Sequence, residues 1–352
     1  MDQFQLEEGT GFVKQQLFRL IQIPFTLWVL LFAVSGYYFP WLYDWNHGGW
    51  EPRQAIVPLV QVIMFGMGVS LSFADFRRVL KMPRAVLIGV ICQFSIMPFL
   101  AWIFVVLFQL PTEIAAGLIL IGSCPGGVTS NVIAYIARAN VPLSVTMTAC
   151  STMLSPFLTP LLMEFWAGQY VPIPVLPMMR SILFMVLLPV LLGLFVNQFA
   201  PRFVNRLGKI LPGIAMFSIC LIIAITIALA RQELAAVGLA LFAAALCQNA
   251  AGYTLGYGAA WCLKLSHRDC RTVALEVGIQ NGGMATGLAV NVLKNPVIAL
   301  GSAVFGPWSA VTSSLLASYW KRCHQSELDP DLQQNGLETP VFNNPSEDCS
   351  AP

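Results

Sequence analysis

Charge and histidine are both scarce in this sequence. Only 10% of its 352 residues are Asp, Glu, Lys or Arg, against about a quarter in a soluble domain. The three histidines, His47, His267 and His324, fall in loops or near the C-terminus, which leaves no histidine for a metal or catalytic centre within the apolar segments. No G-x-x-x-x-G-K-[ST] element occurs, so the signature of ATP-driven pumping is missing. Nine cysteines are scattered singly without a C-x-x-C. They read as small apolar side chains rather than disulfides or metal ligands. The run Asp75-Phe76-Arg77-Arg78 is too short for a nucleic-acid patch and reads as a cytoplasmic loop that sets topology.

What fills the chain instead is apolar. Hydrophobic residues make up 57% and the mean hydropathy is +0.71. The fold class that follows is an all-α polytopic membrane protein in contact with lipid. Ten spans of roughly 17–25 residues, the length that crosses about 30 Å of hydrocarbon, are expected at 22–42, 55–73, 85–108, 114–136, 141–163, 180–199, 212–230, 235–263, 272–293 and 297–320. The eighth is long for one crossing, which predicts tilt or a start outside the bilayer. The first is too long for a signal-peptide core and has no obvious cleavage site.

Basic residues sort by loop. Fifteen of the 19 Lys and Arg fall in one set of loops, and only Arg53, Arg180, Arg231 and Lys294 fall in the other. By the positive-inside rule both termini are cytoplasmic, and an even number of spans agrees with that.

The expected organisation is a cytoplasmic segment 1–21, a first five-helix repeat 22–163, an external linker 164–179, a second repeat 180–322 and a tail 323–352. The tail has six acidic residues and no Lys or Arg; a segment of that composition is expected to be disordered. An odd number of spans per half inverts the second half relative to the first. The fourth span of each half is interrupted, at Gly126-Gly127 and at Gly282-Gly283. Arg138 and Lys294 each lie twelve residues after the first glycine of the pair, and Asn and Pro follow both.

Bare backbone cannot face lipid, so interrupted helices at membrane depth line a protein cavity, and a matched pair marks a transporter site. Polar residues crowd both breaks: Ser123, Thr129, Ser130 and Asn131 at the first, Glu276, Gln280, Asn281 and Thr286 at the second. Glu276 is the one acidic residue well inside a span. A carboxylate there costs at least about 2.5–3.5 kcal/mol unless solvated or paired. A bound cation or a proton would compensate it. The alternative is a neutral Glu near the interface, with Arg271 five residues upstream.

Sodium prefers oxygen ligands, as other hard cations do. Ser144 and Thr148 share a helix face at i and i+4, though Ser and Thr also glue membrane helices together, so packing and ion binding both stay open. Gln93, Gln280 and Asn281 offer further oxygens. The half-helices that begin after each Gly-Gly present N–H groups and positive dipole ends, which suits an anion.

At these residues the chain resembles the bile acid:sodium symporter family, through Cys124-Pro125-Gly126-Gly127 to Ser130-Asn131, Leu143-Ser144-Val145 to Cys150-Ser151-Thr152, and Glu276-Val277-Gly278-Ile279-Gln280-Asn281. The resemblance covers nearly all of residues 20–320. It implies two inverted five-helix repeats arranged as a panel domain and a core domain, with discontinuous helices 4 and 9 crossing in the core. It also implies sodium-coupled import of an organic anion by alternating access across a bacterial inner membrane. Carried over by position, one sodium ion would take Ser130, Asn131, Ser144, Thr148 and Glu276. A second would take Gln93, Glu276, Gln280 and carbonyls near Val277 and Ile279. The substrate would meet Gly126, Gly127, Val128, Thr129, Asn281 and Gly282. Bacterial relatives with Thr directly after the first Gly-Gly differ from this chain, which has Val128. The substrate range includes pantoate, ketopantoate, pyruvate and bile-acid-like compounds. Competing readings are a proton-coupled exchanger or arsenite-type efflux carrier, and a non-transporting receptor or enzyme.

Overall fold

The computed structural model describes residues 27–200, 204, 207–208 and 210–328. The expectations for 1–21, and for the tail beyond Leu328, fall outside those residues. The described chain is mostly helical, and no strand occurs among the described residues; the exceptions to helix and loop are two isolated bridges. In lipid each backbone N–H and C=O must find a partner within the protein, and a helix supplies one locally.

The helices, in chain order, are α1 (Leu27–Tyr38), α2 (Ile56–Ser70), α3 (Phe73–Val79), α4 (Pro83–Leu107), α5 (Thr112–Gly122), α6 (Thr129–Ile136), α7 (Val141–Ala167), α8 (Val175–Phe199), α9 (Leu211–Leu229), α10 (Arg231–Cys262), α11 (His267–Gly278), α12 (Gly282–Asn291) and α13 (Leu300–Leu328). Six segments among the described residues are long and apolar enough to cross a membrane: Pro52–Ser70, α4, α7, α8, α9 and α10. The chain is therefore a multi-pass membrane protein. Two sequence expectations need correction. Asp75-Phe76-Arg77-Arg78 is not a loop but part of α3, whose first turn is tied down where the Asp75 carboxylate accepts from the Ser72 N–H (2.8 Å) and hydroxyl (2.7 Å) and pairs with Arg78. The tail does not begin at Cys323, because α13 continues unbroken to Leu328.

Helix packing forms two closely contacting sets, which meet where α8 packs on α7 and α12 packs on α2. α2 packs on α8 and α9, and Val29 of α1 joins Cys220, Ile223 and Ile227 of α9 in a small apolar cluster. α4 packs on α5, α7 and α10, and α10 packs closely on α11. Two hydrogen bonds join helix ends that are distant in sequence. Arg84 Nη2 donates to the Leu263 carbonyl at 2.7 Å, and Asn140 Nδ2 to Asp269 Oδ1 at 2.7 Å. Arg53 and Leu229 share a hollow at the other end.

Both expected breaks are present. The helix stops at Gly122 and restarts at Thr129; it stops again at Gly278 and restarts at Gly282. The freed backbone groups satisfy one another across the crossing: the Gly127 N–H donates to Ile279 O (2.9 Å) and the Asn281 N–H to Pro125 O (3.0 Å), an antiparallel bridge centred on Gly126 and Gln280. Amide and hydroxyl side chains take carbonyls that remain. Gln93 holds Cys124 O at 3.1 Å, Thr159 holds Ser123 O at 2.8 Å and Asn249 holds Gly278 O at 2.8 Å.

The corners of the broken elements also correspond. Gln109 before α5 and Lys264 before α11 have φ of 49° and 59°; Arg138 after α6 and Lys294 after α12 have 55° and 54°. These are the non-glycine residues with left-handed backbone among the described residues, a conformation that costs about 1–2 kcal/mol each. They fall at matching places around the two breaks.

Candidate functional site

Three neutral hydroxyls surround the carboxylate of Glu276. α11 carries Glu276 two residues before its end at Gly278, only 1% exposed. Its Oε1 accepts from Ser130 Oγ at 2.5 Å and Ser144 Oγ at 2.5 Å, and Thr148 Oγ1 lies 2.9 Å from both carboxylate oxygens. Asn131 Oδ1 lies 2.9 Å from Ser144 Oγ, which brings a second side chain of α6 to the cage. Ser144 and Thr148 reach it together because α7 starts cleanly at Asn140, whose side chain caps the Leu143 N–H with Pro142 in the first turn.

No Lys or Arg forms an ion pair with Glu276 among the described residues. Arg271, the nearest cation in sequence, lies over the Trp320 ring instead, 5.9 Å from its centroid.

Gly126 has a specific place in this cage. A Cβ there would fall 2.6 Å from Glu276 Oε2, so only glycine lets the first break close on the carboxylate. Gly126 thus backs the carboxylate, whereas the sequence reading placed it among substrate contacts. Gly127 is similar: a Cβ would fall 2.9 Å from Gln280 O across the crossing.

A second polar cluster adjoins the first. Gln93 Nε2 donates to Gln280 Oε1 at 2.8 Å, and Gln280 Nε2 to Val277 O at 2.9 Å. Gln93 Oε1 is buried without a partner. The Ile279 carbonyl is already engaged by Gly127, although a carbonyl oxygen keeps a second lone pair.

On the other side of the crossing lies an open cavity of about 140 Å³. Gly127, Val128, Thr129, Asn281 and Gly282, the residues named on sequence as candidate substrate contacts, line it. Asn281 Oδ1 caps the Met284 N–H at 3.1 Å. The backbone N–H groups of Val128, Thr129 and Gly283 make no hydrogen bond to another described residue, and all three residues border the cavity. The facing wall is apolar and comes from α2 and α9, with Ile63, Met64, Ile219, Ile222 and Ile223. No Lys, Arg or His lines the cavity among the described residues.

Two residues escaped the sequence reading. Ser302, 2.7 Å from Thr286, completes a hydroxyl pair on the cavity wall; nothing in the spacing announces it. Asn249 fastens the end of α11, and the amide pair Gln248-Asn249 in an otherwise apolar helix was the available signal.

Comparison with known proteins identifies the family. The model described as the Sodium Bile acid symporter family matches residues 57–237. The chain is 38% identical over 298 residues to "Uncharacterized sodium-dependent transporter YocS" of Bacillus subtilis (strain 168), which spans 85% of this chain and 91% of that protein. It is 35% identical over 309 residues to "Probable sodium/metabolite cotransporter BASS1, chloroplastic" of Arabidopsis thaliana, covering 88% and 76%. It is 34% identical over 310 residues to "Probable sodium/metabolite cotransporter BASS2, chloroplastic" of Oryza sativa subsp. japonica, covering 87% and 72%. These are transporters rather than enzymes, and the chain belongs to the sodium bile acid symporter family.

Proposed function

We propose that this protein is a sodium-coupled symporter that imports an organic anion across a bacterial inner membrane by alternating access. The observation that carries the reading is the Glu276 carboxylate, buried and hydrogen-bonded only by neutral groups. A charge so placed calls for a cation that arrives and leaves, and hydroxyl oxygens can turn their lone pairs to it.

Two sodium ions are co-transported. The first is held by Ser130, Asn131, Ser144, Thr148 and Glu276; the second by Gln93, Glu276, Gln280 and carbonyls near Val277 and Ile279. The unpartnered Gln93 Oε1 supports the second assignment. The anion sits in the cavity against the free N–H groups of Val128, Thr129 and Gly283, at the N-termini of α6 and α12, where partial positive charge accumulates. With no cationic side chain on the wall, a single small carboxylate suits the site better than a multiply charged anion. Pantoate, ketopantoate and pyruvate are of that kind, and a bile-acid-like compound is the larger alternative.

The architecture that goes with this function has ten membrane crossings, both termini in the cytoplasm, and inverted repeats 22–163 and 180–322 joined by an external linker 164–179. The paired left-handed corners support the repeat, since Lys264 follows Gln109 by 155 residues and Lys294 follows Arg138 by 156. α1, α2, α8 and α9 correspond to the panel, and the helices around the crossing to the core.

Proteoliposomes loaded without sodium and offered labelled monocarboxylates test the proposal. Accumulation should require an inward sodium gradient. Uptake that follows a proton gradient and ignores sodium would replace it with proton coupling, and absence of accumulation for every solute would favour a receptor.

A further inference from the structure

Asn140, at the start of α7, meets α11 with its backbone as well as its side chain. Its N–H donates to Thr272 Oγ1 at 2.8 Å, and its carbonyl oxygen lies 3.3 Å from the same hydroxyl. Its Nδ2 donates to Asp269 Oδ1 at 2.7 Å, while its Oδ1 caps the Leu143 N–H at 3.2 Å. Thr272 has no exposed surface. An N–H at the start of a helix has no partner within that helix; here Thr272 supplies one from α11.

Thr272 precedes Glu276 by four residues on α11, and Asn140 precedes Ser144 by four on α7. Four residues bring a helix back to nearly the same face after about 6 Å of rise. The two helices therefore touch twice at matched heights: at Asn140 and Thr272, then one turn on, where Ser144 Oγ donates to Glu276 Oε1. Thr148, a further turn along α7, reaches both carboxylate oxygens. The Ser144 N–H is itself bonded to the Asn140 carbonyl at 3.0 Å. The residue that grips α11 thus also fixes the first α7 hydroxyl of the cage.

The corresponding corner of the proposed second repeat is built without that hydroxyl. Paired corners are separated by 155 to 156 residues, and the offset carries Thr272 to Gly117 and Pro142 to Ile298. There the backbones of α5 and the approach to α13 are pressed together: a Cβ on Gly117 would fall 2.2 Å from Ile298 O. The same offset carries Glu276 to Ile121 and Ser144 to Leu300, both apolar and fully buried. Close packing joins the helices where no carboxylate is present, and hydrogen bonds join them where one is.

We propose that Thr272, clasped to Asn140, is a positioning residue for the ion site: it sets the distance between the Glu276 carboxylate and the α7 hydroxyls, and with it the choice among alkali cations. The inference rests on the sodium-coupled reading above. Selectivity between cations of equal charge depends on the size of the cavity and on the number and strength of the oxygen dipoles around them. A cage whose parts stand on separate helices keeps its spacing only while those helices stay in register, and the clasp holds them one turn away.

The test titrates the melting temperature of the purified full-length protein in detergent with NaCl, LiCl and KCl, with choline chloride holding the ionic strength constant. Thr272→Val keeps the shape of the side chain and removes its hydroxyl. The half-saturating sodium concentration should rise about tenfold, the scale of one lost hydrogen bond, and the preference for sodium over lithium and potassium should narrow. Thr272→Ser should restore both. A merely structural hydroxyl would lower the melting temperature in choline and move neither, which would overturn the clasp. A serine variant as impaired as the valine one would also overturn it, by assigning the effect to the lost methyl group. Asn140→Ser keeps a capping oxygen and loses the bond to Asp269, so it should move the sodium midpoint in the same direction. An unmoved midpoint there overturns the clasp even where the valine variant does not fold. A wild type stabilised no more by sodium than by choline would instead bring down the sodium-coupled reading itself.

Discussion

Ser130 and Glu276 lie 146 residues apart in sequence, yet the hydroxyl on α6 donates to the carboxylate on α11 at 2.5 Å. The contact exists because each residue sits one turn from a helix break and the two breaks hydrogen-bond to each other. Whatever opens the crossing therefore also dismantles the surroundings of this buried acid.

Glu276→Gln keeps the shape of the side chain and removes its charge. Under the proposed function, sodium-dependent uptake should fall at least about a hundredfold, the loss of a charged ligand outweighing one neutral hydrogen bond. Surface biotinylation should find the variant still in the membrane. Sodium-driven uptake at the wild-type level would remove Glu276 from the ion site.

Sodium should stabilise the folded protein. A ligand at about 100 times its Kd adds about 2.7 kcal/mol, so the melting temperature in detergent should rise with NaCl and stay flat with choline chloride. Glu276→Gln should flatten the sodium curve.

Gly126→Ala places a methyl group 2.6 Å from Glu276 Oε2, too close for either to stay. The half-activating sodium concentration should rise about tenfold or more, equivalent to about 1.4 kcal/mol of lost ion binding. An alanine variant with unchanged sodium activation would show that the carboxylate is not held where the crossing puts it.

Asn281→Ala removes the cap of α12 and a polar group from the cavity wall. Capping losses run to about 1 kcal/mol. The KM for the solute should rise while sodium activation changes little, in an uptake assay run at saturating sodium. Asn281→Ser, which keeps a capping oxygen, should recover part of the loss.

Gln93→Ala should act in the opposite sense, weakening sodium dependence more than solute selectivity. Competition among labelled carboxylates, measured at low and at saturating sodium, separates the two effects. A shift in selectivity without a shift in sodium dependence would move Gln93 to the solute.

The parts of this site visible in the sequence were those with a strong physical penalty attached. A double glycine in an apolar run breaks a helix, and a lone acid there demands compensation, so both breaks and Glu276 could be read directly. Ser144 and Thr148 were ambiguous in isolation, because hydroxyls bond to carbonyls in any membrane helix; the structure puts both on the carboxylate. The closeness of Gly126 to the acid was not legible, since sequence spacing carries no information about which face of an extended segment meets Glu276. α3 was read as a loop because seven residues are too few for a periodic pattern, while the hydrogen bonds that secure it come from Ser72 and Asp75. The apolar wall from Ile63, Met64 and α9 could not be found at all: these residues resemble every other lipid-facing or core position until their neighbours are known.

The directional bonds around the crossing stay within one set of helices. Asn140 ties α7 to α11, Asn249 ties α10 to α11, Thr159 ties α7 to α5, and Gln93 ties α4 to both breaks. Across the cavity, the α2 and α9 wall is greasy, and the Asn281 amide reaches it only through the soft sulfur of Met64 at 3.7 Å. Under the proposed function that boundary would serve as a slip plane: shear along it would break no strong bond, and the ion cage would travel whole, as cargo fixed in a moving block rather than released by the block coming apart.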